Sequence, residues 1–317
     1  VYFNGSHPSD NFTLAGSAVI ADNTTAKNGG VIYFNARLGG GNVRLAGGTL
    51  SGNNATENGG GLFFRPLVDS AYVGAVSLSG TSVLSNGAAS GGGLYLHLGK
   101  DFANAGAVFS MSGGALSGNK AANGAALYTY GKYTVTLRTA IAANTATGNG
   151  GGVYMSESGT LVMQSGSSLQ GNVAGGSGGG AYIQSSSSVD VQTGAQILAN
   201  EAQTGAGLYL NYHTGGTIAG SIADNDAGVS GGGIYYNSGN TTVGASSSLV
   251  VADGASVTGN TSVQDGAGIY LTGSATATHT FGRVVMNGGV VANNTAGRNG
   301  GGVFVGRSVF EMNGGIL

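Results

Sequence analysis

Few residues in this chain could do chemistry together. The best acidic group is Asp224 and Asp226 in "ADNDA", with Glu201 and Asp253 in neighbouring stretches. Paired carboxylates can cleave a glycosidic bond as acid and base, or hold calcium on a polysaccharide. Asp224, however, directly precedes Asn225, as Asp22 precedes Asn23, and that placement reads as turn chemistry. The four histidines, His7, His97, His213 and His279, fall in polar connections, as do Pro8 and Pro66. With no Cys, neither a disulfide nor a thiolate metal site can form. Calcium-binding glycine nonapeptides need Asp after their glycines, and here Leu, Val or Ile follows. No phosphate loop, zinc motif or nucleophile elbow is present, and glycine runs alone are weak signals in a chain with 65 Gly. The expectation is a protein without catalytic residues, metal or cofactor.

The aromatic residues are a different matter. They recur after glycine clusters at Tyr2, Tyr33, Phe63, Tyr95, Tyr128, Tyr154, Tyr182, Tyr209, Tyr235, Tyr270 and Phe304. Apolar residues flank them, as in Leu62-Phe63-Phe64 and Leu208-Tyr209-Leu210. Strand alternation then turns the flanks inward and the rings outward. The expectation is a solvent-facing aromatic stripe along one sheet. It would serve either as stacking between strands or as a sticky face for a sugar chain, a partner or another rod.

The elements that must position these rings follow from the repeat itself. Its period is about 30 residues, the mark of a solenoid. Nine or ten residues before each aromatic from Tyr33 onward sits an Asn: Asn23, Asn53, Asn86, Asn119, Asn144, Asn172, Asn200, Asn225, Asn260 and Asn294. Three residues before each of these is Ile, Leu or Val, from Ile20 to Val291, without exception. A third apolar–x–apolar element precedes them, such as "VRL" at 43–45 and "VSL" at 76–78. Strands this short, without helical periodicity between them, exclude leucine-rich and ankyrin solenoids. What remains is an all-β fold, a right-handed parallel β-helix with three strands per coil and about ten coils. It forms one continuous domain over 1–317. In that fold the Asn residues occupy a corner in αL geometry and stack as an amide ladder. The glycines turn the next corner, where φ is positive or the backbones approach closely.

The repeat resembles the polymorphic outer-membrane-protein repeats of chlamydiae. Those combine a Phe-x-x-Asn motif with a Gly-Gly-Ala-(Ile/Leu/Val) motif. Here the pair reads "LSGN" (50–53) with "GGGL" (59–62), and "LSGN" (116–119) with "GAAL" (124–127). No Phe stands first in the Asn motif of any coil. The wider class of autotransporter-type bacterial surface adhesins is the better match. That resemblance, which covers nearly the whole chain, implies an extracellular, cell-surface location and a role in adhesion or surface structure.

Composition narrows the function classes further. Charged residues make up 8% and the net charge is −2, so no basic face for nucleic acid is available. No apolar run approaches the ~18 residues of a membrane span. Inserts gather between the aromatic and the next strand, at 65–74, 97–106 and 272–283, on what solenoids often use as a binding face. Sequons occur at Asn4, Asn11 and Asn240, while Asn23 and Asn260 are expected to be too buried for a glycan. The sequence therefore leads to a non-enzymatic extracellular rod, an adhesin passenger or the shaft of a fibre. Its partners would be copies of itself, surface glycans or a host receptor. The alternative is a polysaccharide-active β-helix enzyme, a lyase or glycoside hydrolase. Neither end carries a polar cap, so the chain is further expected to continue into a longer one or to stack end to end.

Overall fold

The computed structural model describes residues 1–5, 11–36, 41–66, 74–98, 107–185, 187–212, 215–238, 248–273 and 282–317. Among them there is no helix, and so none long and apolar enough to cross a membrane. Every strand pairing is parallel and joins equivalent positions of successive repeats. The chain is a parallel β-helix. His7, His213, His279, Pro8 and Asn240 lie outside the described residues, as does most of each insert.

Each coil runs through the same stations. The aromatic strand comes first, as in Leu94–His97, and its equivalents form an 11-stranded sheet, the aromatic sheet. After the variable connection comes a second strand, such as Ala107–Met111, in another 11-stranded sheet. A tight turn leads to a three-residue strand such as Ala115–Ser117, in a 10-stranded third sheet. The ladder Asn follows. The sequence leads one to expect three strands per coil, and the structure adds a fourth, short segment just after the Asn in most coils, such as Thr145–Ala146, longest at Asp226–Ser230. Its members pair in sets of seven and two. The segment exists because the Asn corner and the glycine corner stand a few residues apart. The stretch between them is extended and stacks like any other.

Alternation decides what is inside. In Leu127–Tyr130, Leu127 and Thr129 are buried while Tyr128 and Tyr130 are not fully so. Inward residues of the three main sheets merge into one hydrophobic core along the axis. Phe3, Phe34 and Phe64 form a second aromatic stack inside that core, with centroids 4.7 and 5.3 Å apart. Eleven strands at the usual interstrand spacing make a column about 50 Å long.

Candidate functional site

The recurrent Asn residues are bonded to one another along the axis. Each ladder Asn donates its Nδ2 to the Oδ1 of the Asn one coil on, over 2.9–3.1 Å, from Asn23 through to Asn294. Its backbone N–H donates to the same oxygen. The second Nδ2 proton goes back to the preceding coil, to the carbonyl of the Ile, Leu or Val that the sequence pattern singles out. Asn172 bonds Ile141 in this way and Asn200 bonds Leu169. An interior Asn therefore accepts two bonds and donates two, which satisfies its amide. All the interior members from Asn53 to Asn260 are buried. Nothing of them is left over for a ligand.

Two expectations about these residues need correction. The αL residue of the corner is the one before the Asn: Asp22, Ser85, Ala143, Ala199, Asp224 and Asn293 have φ of 51–56°, and Gly fills the same place at 52, 118, 171 and 259. The Asn itself is spared because its backbone N–H must point along the axis at its neighbour's amide. Asn23 is exposed rather than buried. Asn260 is buried as expected.

The glycines and the aromatics form one unit. Four residues before every aromatic from Tyr33 to Phe304 lies a Gly with φ of 59–71°. A Cβ on Gly124 or Gly150 would also lie 2.9 Å from the Cβ of Tyr128 or Tyr154. The glycine two residues before the aromatic packs on the amide of the ladder: at Gly152 a Cβ would lie 3.3 Å from Asn172 Cγ. The first of these glycines holds in every coil from Tyr33 to Phe304, whereas the second place also takes Val31 and Ala126, with ladder and column still continuous.

The rings then stack. Neighbouring centroids are 4.7–5.4 Å apart and the planes lie within 16° of parallel, from Tyr2 to Phe304. Their flanking residues belong to the core and the rings do not, so the column stands on the outer face of the aromatic sheet. The expectation of solvent-facing rings needs correction in degree. Phe63 is 5% exposed, Tyr95 and Tyr182 are 9% exposed, and the others, Tyr2 apart, are half-buried. The ring faces are covered by the rings above and below, and what reaches water is their rims. A sugar ring that needs a free aromatic face finds none in the interior of this column.

Beside the column runs a row of polar residues two positions on, including Arg65, His97, Tyr130, Gln184, Asn211 and Asn237. This row is absent from the sequence reading because its residue types vary. Tyr154 donates its hydroxyl proton to Gln184 Oε1 at 2.9 Å, Asn211 donates to the Tyr182 hydroxyl oxygen at 3.3 Å, and Asn237 to Asn211 Oδ1 at 3.0 Å. His97 is the last residue of its strand rather than part of the connection, and it stacks on Tyr130 at 4.9 Å. Burial, and then the Arg65 charge, push its pKa down and hold it neutral. Burial also pushes the phenols of Tyr154, Tyr209 and Tyr235 up, with neighbouring tyrosines as a further cause; Tyr235 is raised to about 12.

The acidic residues do not converge. Asp224 is the αL residue of its corner and its carboxylate lies over Gly259 of the next coil. Glu201 and Asp226 are register partners, and Asp226 accepts a hydrogen bond from the Thr261 hydroxyl. Asp253 sits at a different corner, against Gly288. Among the described residues no three of His, Cys, Asp and Glu come together as a metal would need. No family model matches the chain, and neither does any curated protein or solved structure.

Proposed function

We propose that this chain is a non-enzymatic structural rod of an extracellular surface, an adhesin passenger or fibre shaft of the autotransporter type. One observation carries the reading. The side chains that recur in every coil, ten Asn amides and eleven aromatic rings, are engaged in contacts between coils over the whole stack. Such a rod holds other parts at fixed spacing. Its contacts with surface glycans, a receptor or further copies are made by ring rims, the polar row beside them and the connections at the adjoining corner.

A panel of neutral and acidic polysaccharides, immobilised and in solution, tests this. The rod adheres to a subset and leaves every polymer at its original chain length. Replacing Tyr182, Tyr209 and Tyr235 by Ser keeps the core and weakens adhesion or lateral association about tenfold, the scale of one lost contact patch. Shorter oligosaccharides or new unsaturated ends would instead make the chain a polysaccharide-active enzyme. Unchanged adhesion in a folded triple variant would reduce the stripe to stacking alone.

A further inference from the structure

Seven consecutive members of the outer column are tyrosines: Tyr95, Tyr128, Tyr154, Tyr182, Tyr209, Tyr235 and Tyr270. Their centroids are 4.7–5.0 Å apart and their planes within 16°. Parallel in-register strands hold like atom against like atom, so each phenol faces the same edge of the next. The rims are open to small solutes, while the backbone that carries them is fixed by the amide ladder. A reactive species formed on one ring therefore has a second phenol as its nearest neighbour, at an effective concentration no solution reaches.

We propose that this run is a site of intramolecular oxidative coupling, in which phenols of adjacent coils join as dityrosine when the rod meets a one-electron oxidant. The step balances as follows. Two equivalents of the oxidant each take one electron from a phenol, and each ring releases its hydroxyl proton to water. Two neutral phenoxyl radicals result, with unpaired density on the carbons ortho to oxygen. One C–C bond forms between two ortho carbons, and the hydrogen each carried returns to its oxygen. The product has lost two electrons and two protons and regained both hydroxyls. Side-chain rotation tilts the two rings out of parallel, and the backbone stays in place. The bond staples one coil to the next. It is independent of what the rod adheres to.

The column contains its own controls. Phe63 lies between Tyr33 and Tyr95, so coupling cannot pass it. Phe63 and Phe304 also show that Phe fits the column, which makes Tyr182→Phe a folded variant. Tyr130 stacks on His97, and Tyr133 lies inside the core. The test is illumination of the dilute protein with a ruthenium tris-bipyridyl sensitiser and persulfate, followed by intact mass, dityrosine fluorescence of the monomer and peptide mapping. The expected monomer is lighter by two hydrogens per bond. Its cross-linked peptides join Tyr2 to Tyr33 and register neighbours within 95–270, at a yield about tenfold above the same chain in denaturant. In Tyr182→Phe the 154–182 and 182–209 products vanish and the others persist. Oxygen addition without coupled peptides would overturn the proposal. So would coupling that involves Tyr130 or Tyr133 as often as column neighbours, or equal yield from folded and denatured chains.

Discussion

At the residue scale the corner before each ladder Asn carries the most informative irregularity. Ten residues occupy the αL region there, and only four are Gly. Asp and Asn adopt it at modest cost, whereas Ala143 and Ala199 have no side-chain group to offset it. An L-residue in αL costs about 1–2 kcal/mol, and Gly recovers that less about 0.5–1 kcal/mol of extra unfolded-chain entropy. Relief of strain wins. Ala143→Gly and Ala199→Gly are each expected to raise stability by about 0.5–1 kcal/mol, read as a shift of the denaturant midpoint with unchanged slope. A lowered midpoint in both would mean that the backbone turns elsewhere. Ala gives no hint of αL in a sequence, which is why the pattern points to the Asn itself, and not to the residue before it, for that geometry. The ladder Asn itself was legible because it recurs ten times at one station, and a carboxamide both accepts and donates along an axis of identical repeats.

At the scale of the element the aromatic column shows where sequence reading stops. Alternation correctly placed Leu62 and Phe64 in the core and Phe63 outside it. It did not foresee that rings on the outer face bury one another, because that burial comes from neighbours about 30 residues away. The polar row from Arg65 to Asn237 stayed hidden for the same reason: its members share a position but not a residue type. The same holds at the glycine corner, where Asn58 bonds Asn28, Asn149 joins Asn123 to Ser177, and Asn299 bonds Asp265 in short mixed polar runs. Stacking has a consequence in alkali. The seven phenols from Tyr95 to Tyr270 in the column are raised above the ordinary value of 10.0, mainly by burial, and Tyr235 reaches about 12. A raised acid is stabilising while it stays protonated, so stability is constant below about pH 10 and is lost as pH rises through the folded values. Unfolding followed by circular dichroism against pH, with phenolate absorbance alongside, is expected to show the column ionising together with loss of structure above pH 10. Ionisation of all the tyrosines near pH 10 in a chain still folded would contradict the burial described.

At the scale of the molecule the coils act as one body because each is tied to the next by the same three devices. Backbone ladders, the Asn ladder and the outer aromatic column all run along the axis. Solenoids built this way gain stability from nearest-neighbour interfaces, so a defect is felt mainly in the coils beside it. An unpaired buried amide within the Asn ladder would cost about 1–3 kcal/mol, and each interior Asn prevents several. The central claim is that these amides form an uninterrupted ladder inside the rod. Hydrogen exchange of asparagine side-chain amides, followed by nuclear magnetic resonance, tests it most directly. The eight buried members, Asn53 to Asn260, are expected to keep their Nδ2 protons orders of magnitude longer than free amides. Exchange of all eight at the rate of free amides would contradict the account.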